Sequence, residues 1–263
     1  MLPSDPGVLE LLTRGRIEIE GRLVDASNAT LFCEISGGDA VAHCVYKPVS
    51  GERALWDFPD GTLAGREVGS YLVSQAAGLS VIPPTVLRSG PFGSGMVQLW
   101  VDTKEGDDLV DVLAPDDVPQ GWRRVLRAHD RFGDPAVLAH ADHPSVRLMS
   151  ALDVVLNNAD RKGGHVLHGT DGNVYGVDHG ICLHTEHKLR TVLWGWVGEP
   201  LPDDVVDMLK TLRAGLGDVS AALAEHITKA EIRALRTRLE ALLKAGEFPT
   251  PGSDWRAIPW PAF

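Results

Sequence analysis

The sequence predicts an α+β chain of two lobes, the first an antiparallel sheet with one main helix, the second mainly helical. Three observations carry this. Between Arg16 and Val101, five short segments read as strands, the first of them by its clean alternation of polar and apolar residues. One helical segment separates the third strand from the fourth. Beyond it the long periodic segments have a helical repeat, so the lobes are placed at residues 1–101 and 102–263.

The first lobe opens with a short helical lead-in at residues 7–14. RIEIEGRLV, from Arg16 to Val24, alternates as a half-buried strand does. Asp25-Ala26-Ser27-Asn28-Ala29 is a cluster of small turn-forming residues. ATLFCEI gives a second strand, Gly37-Gly38-Asp39 a turn, and AVAHCVYKP a third strand that ends at Lys47. A polar loop leads to a helix that Thr62 can cap and Gly78 can end, with Glu67 in its second turn. The last two strands run from Pro84 to Arg88 and from Gly95 to Val101, across a Gly- and Pro-rich turn.

In the second lobe, DDLVDVL and PQGWRRVLRAHDRF, both within residues 107–143, read as helical. DPAVLAHADH reads as loop or short helix, and Asp142 and His143 should cap the apolar helix from Ser145 to Asn157. That helix delivers Asn157 and Asn158 into a loop holding Asp160. VLHGT and NVYGV form a hairpin through Asp171-Gly172, a good tight-turn dipeptide, and Asp178 follows the second strand. Residues 181–202 take the place of a substrate loop. Helices are expected at Asp203–Arg213 and Lys229–Ala245, with a weaker one between, then an irregular tail.

Composition narrows the function. A formal net charge of −11 argues against a general nucleic-acid or anionic-membrane binder. No run of about 20 apolar residues exists to span a bilayer, and no basic-then-apolar leader is visible at the start. The cysteines, Cys33, Cys44 and Cys182, are too few and odd in number for a disulfide framework, which suits a reducing cytoplasm.

The chemistry-bearing residues fall in the pattern of a kinase-fold phosphotransferase. A lysine on a strand and a glutamate on the following helix, here Lys47 and Glu67, hold the α- and β-phosphates of ATP in that plan. An Asp on a loop addresses the acceptor hydroxyl, and a later Asp after a short hairpin holds metal. Each feature has a plainer reading: a snorkelling edge lysine, a solvated helix glutamate, an ordinary hairpin loop at 25–29.

Lys47, Glu67, the NNADRKGGH run at 157–165 and GVDHG at 176–180 together resemble the phosphatidylinositol 3-/4-kinase-like branch of the kinase fold, in particular a family of small bacterial proteins. In phosphoinositide and HipA-like kinases the catalytic loop reads D-R-H-x-x-N or D-x-H-x-x-N, followed by I/V-D-F-G or a variant. Asp160-Arg161 matches the opening of that pattern, and Asp178 with Gly180 its second half. The chain departs from it at three places: Lys162 for the usual His, His165 for the metal-binding Asn, and His179 for Phe. The resemblance implies an ATP-dependent phosphotransferase using Mg or Mn. Lys47 would bind phosphates with Glu67 orienting it, Ser27, Asn28 and Ala29 would cover the phosphates, and Gln98, Leu99, Trp100 and Val101 would frame adenine. Asp160 would position or deprotonate the acceptor hydroxyl, Lys162 would stabilise transferring charge, and His165 with Asp178 would hold the metal. Imidazole shifts the expected preference toward Mn.

The acceptor is a hydroxyl on a protein or small molecule; a phosphoinositide fits less well, because residues 181–202 carry few basic groups. Two other readings stand beside this one. A pseudokinase would bind nucleotide without turnover, which the His165 replacement favours. A zinc site could use His179, Cys182, His184 and His187, although their spacing matches no common zinc framework.

Overall fold

Period-two burial builds the first layer. The computed structural model describes residues 1–23, 28–104, 106–252 and 256–263. Helix α1 (Val8–Arg14) leads into β1 (Arg16–Arg22), β2 (Leu31–Gly37) and β3 (Ala40–Pro48). After helix α2 (Leu63–Ala76) come β4 (Thr85–Gly90) and β5 (Gly93–Leu99). These strands form one five-stranded antiparallel sheet in the order β1-β2-β3-β5-β4. Along β3, Ala42, Cys44 and Tyr46 are buried in a core shared with Leu11 and Leu12 of α1. Their alternates Val45 and Lys47 point the other way, into a cleft.

Helix α2 begins as its sequence predicts: Thr62 Oγ1 accepts the Gly65 N–H at 2.9 Å. The Glu52 carboxylate satisfies two more first-turn donors, Leu63 N at 3.0 Å and Ala64 N at 2.8 Å. The helix joins two cores. Ala64 and Val68 pack on Met96 of the sheet, whereas Tyr71, Val73 and Ala77 enter the core of the helical half.

In that half, α3 (Pro144–Leu156), α4 (Asp203–Leu223) and α5 (Lys229–Ala245) surround the main apolar core. His143 caps α3 through Nδ1, which accepts the Ser145 N–H at 3.2 Å. Asn157 closes it in the left-handed region at φ 55°. Two expectations for this half fail. The expected weak helix after Arg213 is the continuation of α4, which runs unbroken to Leu223. Residues 107–143 are not helical: they hold β6 (Val110–Leu113), β7 (Trp122–His129) and β8 (Pro135–Ala141), a three-stranded antiparallel sheet in the order β6-β8-β7. A β-bulge between Arg124 and Leu126 explains the misreading. It puts one extra residue into the strand, so the apolar positions Trp122, Val125 and Leu126 take on the three-to-four spacing of a helix.

The expected hairpin is present as β9 (Val166–His168) and β10 (Val174–Gly176), turned by Gly172 at φ 82°. Among the described residues no helix is long and apolar enough to cross a membrane.

A buried ion pair locks α2 to the helical half. Arg66 Nη2 lies 2.5 Å from Glu231 Oε1, both side chains being almost wholly buried. The same guanidinium donates to the carbonyls of Cys182 and Asp60, each at 2.9 Å. Glu231 Oε2 meanwhile accepts from Thr228 at the start of α5. Removing one partner of such a pair strands a buried charge, so Arg66→Ala should cost about 3–5 kcal/mol in urea unfolding. A paired Arg66→Met, Glu231→Leu replacement should recover most of that loss. A double variant as unstable as Arg66→Ala, or no loss in Arg66→Ala itself, would show that the pair is not a structural clamp.

Candidate active site

Lys47 and Asp178, far apart in sequence, meet in the cleft between the sheet and the helical half. Lys47 Nζ lies 2.6 Å from Glu67 Oε1 and 2.8 Å from Asp178 Oδ1, so one ammonium bridges strand, helix and the segment after the hairpin. Burial alone would lower the lysine pKa, but the charges of Asp178 and Glu67 outweigh it and hold Lys47 protonated. The same contact, with Lys47 the largest influence, holds the Asp178 carboxyl well below the usual range. The second oxygen of Glu67 accepts the His179 N–H at 3.0 Å, so both ends of this carboxylate are used.

Asp178 itself sits in the left-handed region at φ 59°, and Leu183 at φ 68°. Aspartate tolerates that conformation; for a buried leucine it is strained. Backbone strain of this kind gathers where surrounding structure fixes a functional segment.

Asp160 is positioned from below. Arg161, fully buried, makes a two-pronged pair with Asp153 of α3, both contacts 2.9 Å. Its remaining N–H groups reach Val177 O at 2.9 Å, His165 O at 3.3 Å and His179 Nε2 at 2.6 Å. Asn158 adds to the same brace, donating to Asp153 Oδ1 and accepting the Asp160 N–H. These positioning residues, Asp153, Asn158, Arg161 and His179, were not expected in that role. One signal was available: Asp153 is an acid inside an otherwise apolar helix, and such a residue requires a buried partner.

The Asp160 carboxyl projects into the cleft with Lys162 Nζ 3.9 Å away. Burial raises its pKa to about 6, against the opposing pull of Lys162. His165 Nε2 lies 3.3 Å from Asp178 Oδ2. Burial brings the imidazole pKa down to about 4, so the ring is neutral near pH 7. Two donors bound at right angles to one small divalent cation stand roughly 3 Å apart. The His165–Asp178 spacing therefore fits a shared cation, completed by phosphate and water oxygens.

The cleft has two chambers. The larger, about 610 Å³, is lined by Val45, Leu99, Leu167 and Val177, and also by Gln98, Trp100 and Val101. Its size and partly apolar walls suit a small-molecule ligand. The N–H groups of Leu99 and Trp100 are taken by Pro84 O and His43 O, and Gln98 Nε2 donates to Thr85 Oγ1. The Val101 N–H makes no hydrogen bond among the described residues. Asn28 lines this chamber, while Ala29 faces only the smaller one and its N–H is held by Gly51 O at 3.2 Å. Ala29 therefore has no free backbone donor to offer a phosphate here, and Ser27 lies outside the described residues.

The alternative zinc set does not assemble. His179 is held by Arg161, Cys182 is buried with its thiol pushed up by burial, His184 packs on Phe58, and His187 is exposed. Among the described residues, one group of three metal-competent side chains has its donors within 4.8 Å of one another: Glu20, Glu34 and His43, away from these histidines on the sheet.

The antiparallel sheet, the bridging helix and the helical half define a kinase-like fold. The solved structure of hydra Fam20 with sugar is similar to it at TM-score 0.52 and 14% identity, covering 90% of this chain and 86% of that one. The Helicobacter pylori proinflammatory kinase CtkA is similar at TM-score 0.48 and 11% identity, covering 90% and 95%. No family model matches the sequence. Protein Rv2133c of Mycobacterium tuberculosis is 52% identical over 263 residues, 96% of this chain and 94% of that protein. The chain belongs to the same family as Protein Rv2133c.

The pKa of Asp160 has a consequence for stability. A carboxyl whose folded pKa is raised destabilises the fold once it ionises, so the penalty is absent below pH ~4 and complete above pH ~6. Asp160→Asn should therefore stabilise the protein at pH 7 by on the order of 1–3 kcal/mol, with the gain vanishing by pH 4. Asp153→Asn should do the reverse, costing about 3–5 kcal/mol by leaving Arg161 unpaired. Denaturant titrations across that pH range distinguish the two; a pH-independent effect of Asp160→Asn would remove the desolvated carboxylate from the account.

Proposed function

We propose that this chain is an ATP-dependent phosphotransferase that moves the γ-phosphoryl group to a hydroxyl on a small molecule or protein. The observation that carries the reading is Lys47 bridging Glu67 and Asp178 at one end of an apolar chamber, with Asp160 beside it. Residues 1–101 would supply the adenine chamber and Lys47; residues 102–263 would supply the acceptor base and the metal donors. Adenine would lie between Val45, Leu99, Leu167 and Val177, with the Val101 N–H as its donor. Lys47 would turn from Asp178 toward the α- and β-phosphates while Glu67 keeps its orientation.

His165 and Asp178 would hold Mg or Mn. A bound divalent cation neutralises charge on the β- and γ-phosphates. Asp160 would take the hydroxyl proton as the acceptor oxygen bonds to the γ-phosphorus and the bond to the bridging oxygen of ADP breaks. Lys162, on the same wall, would stabilise charge on the transferred group. A phosphoinositide acceptor is disfavoured by the few basic groups on residues 181–202.

One observation favours a pseudokinase instead. His165 Nδ1 accepts the Lys162 N–H at 3.4 Å, which places the ring proton on Nε2, the nitrogen facing Asp178. Binding a cation there requires that proton to leave, a step asparagine would not need.

The two aspartates should fail differently. Asp178→Ala should abolish metal-dependent ATP binding in calorimetry, whereas Asp160→Ala should keep it and lower transfer by about 10²–10⁴-fold. Equal loss of ATP binding in both would contradict these roles, and firm binding with no transfer in the unmodified protein would select the pseudokinase. His165→Asn should move the metal preference from Mn toward Mg. Transfer should also fall as pH drops, because a protonated Asp160 accepts no proton. The limb should lie at or below about pH 6, since a cation at Asp178 removes a charge that raises the Asp160 pKa.

A further inference from the structure

The smaller chamber, about 360 Å³, adjoins the larger one at Asn28, Lys47, Asp160 and Asp178, the four residues that line both. We infer that it is the acceptor subsite, and that it takes a small hydroxyl compound bearing one anionic group and a ring or apolar face. The inference rests on the phosphotransferase reading: with adenine in the larger chamber, the phosphate chain ends at the shared wall. A hydroxyl entering from the smaller chamber meets the γ-phosphorus there, opposite the departing ADP, with Asp160 at hand for its proton.

The chemistry of the walls selects the ligand. Most of the chamber's charges are already engaged. The Glu52 carboxylate is spent on the first turn of α2, and Glu67 on Lys47 and the His179 N–H. Arg53 is different. Its backbone N–H is pinned to Asn28 Oδ1 at 2.8 Å, while its guanidinium makes no hydrogen bond or ion pair among the described residues. One fixed base with one uncommitted cation suits a single carboxylate or phosphate. Trp56, 89% exposed, also lines the chamber, where Leu55, Leu63 and Ile181 supply apolar surface. A bare indole at a cleft wall is a ready face for a sugar or other ring. A head group with several phosphates would need more than one free cation. The volume lies near the bottom of the range for small-molecule sites.

The test uses the full-length protein with ATP and Mn. Its probes are glucose 6-phosphate and other monophosphorylated or monocarboxylated sugars and polyols, their uncharged parents, a serine-containing peptide, and phosphatidylinositol vesicles. Product phosphate is followed by mass, and ATP affinity by calorimetry. The expected result is transfer to an anionic ring compound ahead of its uncharged parent. Arg53→Gln should then raise the KM for that compound by roughly ten- to a hundredfold, the loss expected for a charged hydrogen bond, with kcat little changed. Trp56→Ala should raise the same KM and leave the Kd for ATP within about twofold. Both residues are exposed, so neither change threatens folding. Transfer to the peptide or the vesicles alone overturns the inference, as does transfer to none of the probes while ATP still binds. An acceptor KM indifferent to both substitutions, or an ATP Kd that rises with them, does so too. Absence of ATP binding in the unmodified protein instead brings down the phosphotransferase reading itself.

Discussion

The geometry of this cleft depends on a charge pair that lies beneath it. Arg161 and Asp153 are both almost completely shielded from water, and moving two such ions indoors is costly unless every donor finds an acceptor. Here the guanidinium is fully used: two N–H groups go to Asp153 and others to the Val177 and His165 carbonyls and to His179. That requirement for complete satisfaction is what ties the parts together. The loop carrying Asp160, the start of the hairpin carrying His165, and the segment carrying Asp178 must all approach one planar group. Their mutual geometry is braced by the guanidinium from beneath, as it is by Lys47 and Glu67 from the cleft side.

A second buried pair orients the opposite wall. Arg66 and Glu67 are neighbours on α2 and so point in different directions around the helix. Arg66 turns into the helical half, where Glu231 and two carbonyls receive it; Glu67 turns toward β3 and Lys47. Fixing the rotation of α2 through Arg66 thereby fixes the Glu67 carboxylate. The Lys47 contact then needs no contribution from a bound ligand to keep its place.

The sequence disclosed residues whose chemistry is local and hid those whose role is collective. A lysine at a strand end and a glutamate in the next helix can be read from one-dimensional pattern, and the structure sets them 2.6 Å apart. The hairpin was equally visible, since Asp171-Gly172 specifies its own turn. Arg161 was read only as part of a motif. Asp153, an acid in an apolar helix, signals a buried partner but does not say which cation supplies it. The sheet at residues 110–141 was missed for another reason: a single bulge converts period two into an apparent helical repeat. Backbone commitments were also illegible. No pattern tells that the Ala29 N–H is already held by Gly51, or that the Leu99 and Trp100 donors belong to the sheet.

The segment after Asp178 is strained, buried and neutral, and these properties are linked. A left-handed Asp178 turns the chain so that the His179 N–H meets Glu67 and its ring meets Arg161. Burial and the Arg161 charge keep that ring uncharged, which is the form able to accept from a guanidinium. A phenylalanine at 179 could pack in the same space but could not accept from Arg161, so one of its donors would go unmet in the interior. His179 is therefore matched to the guanidinium beneath it, and the departure of this motif from the kinase pattern has a structural reason. The left-handed turn at Asp178 is held by the same network, since releasing it would pull both the amide and the ring of residue 179 off their partners.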